Sequence, residues 1–562
     1  MASPSEGQQY LEQQEIKRAC PDYKRYSMFM QYVSPTFPGT TANIIPSRPF
    51  SEGEMQLPFQ RPEIRCRTFT SPLVEKVIED VTSQMVDKDL ARLFENAFPN
   101  TLDTTVRWHV DGKEKKHTEL KRGVRDEGKW RGPQSFVVTG DINAEWLRDS
   151  TNQLLQYQPL AKKDDAIFNL ILGAINTQAE YVIESPYCNA FQPPPASKLP
   201  ATQNGQDDSV HPAYEPSFVF ECKYELDSLA HFLALANTFY EHTGSLDFLT
   251  PRWFKALDTV LTVLDQQSQS TFDPETGRFE RNAYTFSRHT TQGTETLPLS
   301  GVGNPLNWGT GLIRSAFRPS DDATILGFYI PANAQMAVEL KKTADMLAAA
   351  KEVSRAQLLD KRAQTITDGI WEHGVVMHKK WGRVFAYEVD GYGSQILMDD
   401  ANVPSLLALP IMGFVERDDP VYQNTRRMLL SKQGNPYFLE GTAFTGIGGM
   451  SSSHSPLLTS PFSSSTNKLG PHIGFEYAWP MSLLLQAMTS DNDTEISHSL
   501  KLVLSASPLG LVHESINVNR IHDYTRSWFA WANSVFAQTI LDIAKRKPHL
   551  IFGEGAAAYV VE

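Results

Sequence analysis

Apolar residues recur at the three-to-four spacing of a buried helix face over residues 74–96, 144–158, 164–184, 222–243, 247–269, 322–349, 353–371, 401–411, 418–432, 474–490, 492–506 and 526–545. Strand-like alternation is confined to short stretches at 135–139 and 382–389, and it never alternates regularly with helices, which disfavours a parallel α/β sheet. The connections sort into two kinds. Links at 161–163, 243–246 and 350–351 are short, whereas 185–221, 270–321, 372–400, 433–473 and 507–525 are long. A short link makes two helices antiparallel neighbours and a long one starts the next pair. The simplest closed object with that rhythm is an all-α (α/α)6 barrel, six helical hairpins in a ring, with minor β strands in the loops. Residues 1–70, polar and rich in proline, read as an extended N-terminal arm, and 71–562 as one domain, since no Gly/Ser or Pro linker divides them.

In such a ring the inner helices all begin at one end, and the long loops gather there, as functional loops on a rigid scaffold do. Each long loop delivers a polar and aromatic cluster: Asp141 to Asp149 with Trp146, Arg148 and Asp149; Glu221 to Asp227; Arg318 to Asp322; Met398 to Asn402 with Asp399 and Asp400; His472 to Pro480 with Glu476 and Trp479; and His513 to Ser515 with Asn519 to Trp528, which includes Arg526. Phe317-Arg318-Pro319-Ser320-Asp321-Asp322 reads as the cap and first turn of a helix running from Asp322 to about Ala349. The plain alternative is that the acids satisfy free backbone N–H groups. Capping asks for one Ser, Asp or Asn at each helix, not for indoles, guanidinium groups and several carboxylates together, so the six clusters predict one shared polar pocket. Arg148, Arg318 and Arg526 either pair with neighbouring carboxylates or contact the ligand.

Composition narrows the partners. The 562 residues are 41% hydrophobic and 21% charged with a net charge of −13, which suits neither a phosphate backbone nor an anionic membrane. No run of about 18 apolar residues is visible, and residues 1–20 are too polar for a signal peptide, so any targeting segment is not visible in this chain. Spacing favours disulfides Cys20–Cys66 and Cys188–Cys222, each closing a loop-rich stretch, against four buried thiols. With the sequon Asn492-Asp493-Thr494, this leans towards secretion or the lumen of the secretory pathway.

A pocket of carboxylates, indoles and guanidinium groups without ligand spacing for a metal suits a neutral polyhydroxylated molecule, and sugars fit best; no cofactor is called for. Hydrolysing a glycosidic bond takes one protonated carboxyl and one carboxylate, and crowded acids raise one another's pKa. Other chemistries fall on spacing. His513-Glu514 has Asn517 where a zinc-protease motif needs His, Gly301-Val302-Gly303 has no third glycine at 306, and Gly449 to Ser455 lack a nucleophile elbow. Another carbohydrate enzyme on the same ring, such as a glucosidase or lyase, and a non-catalytic glycan-binding protein stay open on these residues.

Four segments carry a family resemblance: Ala144-Glu145-Trp146-Leu147-Arg148-Asp149-Ser150, Phe317-Arg318-Pro319-Ser320-Asp321-Asp322-Ala323, Leu397-Met398-Asp399-Asp400-Ala401-Asn402-Val403-Pro404-Ser405-Leu406 and Val512-His513-Glu514-Ser515. They resemble glycoside hydrolase family 125, exo-α-1,6-mannosidases, from about Cys20 to the C-terminus. The resemblance implies an (α/α)6 barrel and metal-independent removal of single terminal mannose units with inversion. It makes Asp321 or Asp322 the general acid and Glu514 the general base. By analogy with glucoamylases, whose first adjacent acid is the proton donor, Asp321 is preferred and Asp322 contacts the sugar. The loop 270–312 has no counterpart in the motif set. Loops 185–221 and 433–473 are expected to close a dead-end pocket for one terminal sugar.

Overall fold

The computed structural model describes residues 49–112, 132–449 and 476–561. Cys20 and His472, named above, lie outside the described residues. The chain is mostly helical, and its helices follow the predicted segments with later starts. Those that build the scaffold are α1 Pro72–Gln84, α2 Lys88–Ala97, α3 Leu147–Leu154, α4 Asp165–Glu184, α5 Leu226–Thr243, α6 Pro251–Gln267, α7 Ile330–Ala349, α8 Val353–Gly369, α9 Leu409–Met412, α10 Pro420–Leu429, α11 Pro480–Met488, α12 Asp493–Ser505 and α13 Ala530–Arg546; short helical turns also occur at Asn100–Thr104, Pro298–Gly301 and His549–Phe552. α3 packs on α5, α5 on α7, α7 on α9, α11 on α13, and α13 back on α3, so these helices form an inner layer. α4, α6, α8 and α12 lie against them or one another as the return arms of hairpins.

The segment expected as one helix over 74–96 is two. Asp87 breaks it by capping α2, its carboxylate accepting from the N–H of Asp89 and Leu90. α4 is long and apolar enough to cross a membrane, a run the sequence pattern did not single out. In the structure 72% of that window is buried inside the protein, where α4 packs on α5 and α6, so it is a core helix.

A threefold repetition unmarked in the sequence pattern explains the late helix starts. β1 Glu145–Trp146, β2 Ala190–Phe191 and β3 Val219–Glu221 form one antiparallel sheet. β4 Phe328–Tyr329 pairs with β5 Glu388–Val389, and β5 with β6 Gln395–Ile396. β7 Tyr477–Ala478 pairs with β8 Ile516–Asn517, and β8 with β9 Arg520–Tyr524. In each sheet the first strand runs into an inner helix: β1 into α3, β4 into α7, β7 into α11. Trp146, Tyr329 and Trp479 at the helix starts offer no side-chain cap. The backbone instead finds strand partners, Ile330 N–H on the Tyr387 carbonyl at 3.0 Å and Leu147 N–H on that of Asn189 at 3.3 Å.

Two expectations are corrected. Residues 322–329 are not helix: Phe317 and Ala323 face each other in an antiparallel bridge, Arg318 N–H donates to the Asp322 carbonyl at 2.8 Å, and the two acids sit on the turn between. The helix begins at Ile330, with Pro331 in its first turn. Residues 401–411 are mostly a loop, with only Leu409–Met412 helical. Pro404 biases its predecessor towards extended backbone, and the Asp399 carboxylate takes the N–H groups of Leu406 and Leu407 at 2.9 Å each.

Candidate active site

A cavity of about 430 Å³ opens among the starts of the inner helices, walled by the clusters described above. Trp146, Arg148, Asp149, Asp321, Asp322, Trp479, Glu514 and Arg526 all line it.

The turn carrying the paired acids is held from both sides. Asp321 N–H closes it on the Arg318 carbonyl at 3.0 Å, and Lys223 Nζ donates to the Asp321 carbonyl at 3.0 Å. Asp321 has φ +66°, a left-handed conformation that Asp tolerates better than most residues and that commonly marks a functional site. The two acids face different surroundings. The Asp321 charge acts on Arg148, Asp149, Glu221 and Arg526, all of which line the cavity. Asp322, only 2% exposed, receives a hydrogen bond from Ser320 Oγ at 3.1 Å. Burial pushes its carboxyl up to about 7, with Arg318 opposing and Asp400 adding to the rise.

Across the cavity, the Glu514 carboxylate accepts from Thr525 Oγ1 at 2.8 Å on Oε2 and pairs with Arg526 Nη1 at 3.4 Å on Oε1. Thr525 is steadied in turn by Ser515, the two hydroxyls lying 2.7 Å apart. Arg526 is shared with Asp141, 3.5 Å from its Nε. Burial raises the Glu514 carboxyl to about 7, while Arg526 and Thr525 pull it down and Asp141 and Asp149 push it up. A carboxylate at that value is poised to accept a proton near neutrality.

Arg148 forms the floor. Its Nη1 meets Glu225 at 2.6 Å and Asp227 at 3.4 Å, its Nε lies 3.3 Å from Asp149, and its guanidinium stacks over the Trp531 ring at 5.5 Å. Burial lifts the Asp149 carboxyl to about 6 against the pull of Arg148.

Five expected site residues do not line the cavity. Arg318 is wholly buried behind the acid turn, its Nε bonded to Glu388 Oε1 at 2.6 Å and its guanidinium over the Tyr387 ring. Asp399 holds the turn at Leu406. Asp400 accepts from the backbone and side-chain N–H groups of Asn402, so Asn402 reaches the cavity instead. Glu476 is exposed and accepts from Asn517 at 3.2 Å. His513 is buried, stacked on Tyr524 at 3.9 Å, with Nδ1 2.9 Å from the Arg526 carbonyl; burial lowers its pKa to about 4, so it is neutral and Nδ1–H donates. It fixes the segment that carries Arg526.

One wall was not expected. Strands Asp208–His211 and Thr285–Arg288 pair antiparallel and bring Arg288 onto Asp208, with contacts at 2.6 and 2.9 Å, and to within 3.4 Å of Glu221. Glu221 lies 3.5 Å from Lys223. Arg288, Glu221 and Lys223 line the cavity, as do Phe529 and Trp531. The cluster Glu221 to Asp227 was visible in sequence, but nothing local marks Arg288, and Trp531 sits in a helical apolar pattern that reads as core. Among the described residues no group of three or more His, Cys, Asp or Glu side chains is placed to hold a metal ion. Cys188 and Cys222 form a disulfide, with Cα atoms 3.9 Å apart, which ties β2 to the segment entering α5.

Residues 87–541 match the sequence profile of glycoside hydrolase family 125, metal-independent α-mannosidases. The chain is 51% identical over 535 residues, 95% of its length and 94% of the relative's, to the meiotically up-regulated gene 157 protein of Schizosaccharomyces pombe. Among solved structures it is similar to a metal-independent α-mannosidase of Streptococcus pneumoniae, in a non-productive complex with α-1,6-mannobiose. The TM-score there is 0.69 at 30% identity, covering 84% of this chain and 99% of that one.

Proposed function

The chain belongs to glycoside hydrolase family 125, the metal-independent α-mannosidases, and from that premise we propose that it removes terminal α-1,6-linked mannose with inversion, Asp321 acting as general acid and Glu514 as general base. The observation that carries this reading is that Asp321 and Glu514 share one cavity and one set of charges: Asp149 and Arg526 act on Glu514, and Asp321 acts on both of them. Asp321 protonates the glycosidic oxygen as the bond to the anomeric carbon breaks. Glu514 takes a proton from a water that attacks that carbon from the opposite face; Glu514 then releases that proton to solvent and Asp321 takes one up, which resets both groups. That division of labour requires roughly 6.5–9.5 Å between the carboxyl groups, room for the water. Asp322, with Arg148, Trp146 and Trp479, contacts the sugar.

The bound α-1,6-mannobiose of the streptococcal relative supports the linkage and an oligosaccharide substrate. Residues 450–473 of the loop 433–473, one of the two expected to close the pocket, lie outside the described residues, and the exo mode rests on the wall of Arg288, Glu221 and Lys223 at one side of the cavity. The inner-helix contacts, which run from α11 through α13, α3, α5 and α7 to α9, support the (α/α)6 ring arrangement of the hairpins, with the link from α9 to α11 proposed. The Cys188–Cys222 disulfide supports a secretory-pathway location. Incubation with α-1,2-, α-1,3- and α-1,6-mannobiose, followed by NMR, tests the proposal: β-mannose should form first, from the 1,6 isomer. First-formed α-mannose would overturn inversion, equal cleavage of all three the linkage, and internal fragments from a mannan the exo mode.

A further inference from the structure

Every arginine at the active-site cavity is matched to a carboxylate: Arg148 to Glu225, Arg288 to Asp208 and Arg526 to Glu514. Arg314 has no carboxylate partner among the described residues. It is 6% exposed, and among those residues its Nη1 and Nη2 reach two uncharged acceptors, the Val302 carbonyl at 3.3 Å and Thr271 Oγ1 at 3.2 Å. Its Nε is buried without a partner among the described residues. A guanidinium taken out of water without a counter-charge is costly, and a fold that keeps one has either lost stability or left the place for an anion.

The surroundings favour the anion. Arg314 lines a second cavity of about 280 Å³ between the end of α6 and the turn at 280–283. Two amides on its wall spend their oxygens on protein donors: Gln266 Oε1 accepts from Tyr187 at 2.6 Å, and Asn282 Oδ1 from Gln267 at 3.2 Å and from the Tyr284 N–H. No hydrogen bond of their NH2 groups is seen among the described residues, and with Gln266 exposed and Asn282 half-buried on the wall both can turn to a bound anion. Burial without a nearby carboxylate lowers the Arg314 pKa to about 10, so it is still charged at neutrality. At the mouth stand one exposed cation, Arg281, and one exposed anion, Glu280. The space holds a phosphate group with several waters, at about 30 Å³ per water.

We infer that the Arg314 cavity binds a phosphate-type oxyanion, the guanidinium fork and the NH2 groups of Gln266 and Asn282 supplying the donors. Such an anion braces the segment 314–317 that leads to the acid turn. Arg314 N–H donates to the Gln267 carbonyl, and the next links, Ala316 and Phe317 N–H, donate to Tyr224, which also precedes α5.

Isothermal titration of the full chain with inorganic phosphate and with a hexose 6-phosphate tests this and separates a free anion from a phosphorylated sugar as its source. Saturable binding of either is expected, weakened at least about tenfold in R314Q. Because that substitution can unfold the protein, the exposed mouth supplies the deciding variants. E280Q should tighten binding and R281E weaken it, each by about two- to fivefold. No binding of either compound at millimolar concentration, or affinities unchanged in both E280Q and R281E, would overturn the site.

Discussion

The turn bearing Asp321 and the segment bearing Glu514 face one cavity and are built in opposite ways. Glu514 is wrapped by its own supporters, Thr525 and Arg526, both within a dozen residues of it in the chain. The acid turn has its arginine just three residues before Asp321, yet Arg318 is turned away and bonded to Glu388 from β5. Asp322 feels that cation only against full burial and the nearby Asp400, and its carboxyl still rises to about 7. The proposed base thus keeps a cation and a hydroxyl that favour its ionised form, whereas on the acid turn the arginine nearest in sequence is spent on Glu388, and the proposed donor Asp321 shares Arg148 and Arg526 with the other carboxylates of the cavity.

The comparison breaks most visibly at the reacting groups. E514Q and D321N should each lower kcat by roughly 10²–10⁴-fold on α-1,6-mannobiose, with substrate binding largely kept. An aryl mannoside with a good leaving group should recover activity in D321N, which no longer needs an acid, and not in E514Q. Recovery in D322N and not in D321N would exchange the roles of the two aspartates.

The next effect is on stability. E388Q removes the carboxylate charge paired with Arg318 at a site where both side chains are wholly buried, and should cost about 3–5 kcal/mol in urea unfolding. A loss under about 1 kcal/mol would mean that Asp322 and Asp400 already balance Arg318, and that the two sides are less different than they look.

A smaller effect concerns pH. As the proposed base, Glu514 is required ionised, and its carboxyl is raised to about 7, so kcat/KM should fall as pH drops through that value. T525V removes a donor that favours the ionised form, so the acid limb should move to higher pH by about one pH unit, and T525S should restore it. An unmoved limb would take the Glu514 side of the comparison apart. Smallest of all, EDTA should leave the rate unchanged, and a loss restored by an added divalent ion would contradict both halves at once.

Much of this site was legible because its residue types exceed what local structure demands. No helix start needs Trp146, Arg148 and Asp149 together, and the excess at Arg318 to Asp322 and at His513 to Arg526 pointed to one pocket. The turn itself departs from the sequence reading: a Pro-Ser-Asp-Asp run suits a helix cap, but the bridge from Phe317 to Ala323 leaves Asp321 and Asp322 on a loop nine and eight residues before α7 begins at Ile330. Capping preferences are local and weak, and a pairing with β5, some sixty residues on, outweighed them.

By itself the sequence determined that the chain is mostly helical, that its hairpins alternate short and long links, and which segments carry the chemistry, because hydrophobic period and residue type are properties of neighbours along the chain. Tertiary structure alone decided which charges face the cavity. Arg318 and Arg526 look equivalent in sequence, but Glu388 draws one into the interior while Glu514 and Asp141 hold the other at the cavity wall. Arg288 enters through a strand pairing, and Arg314 meets no carboxylate among the described residues. A buried charge goes where its counter-charge is, and the counter-charge comes from a distant part of the chain that only the fold brings near.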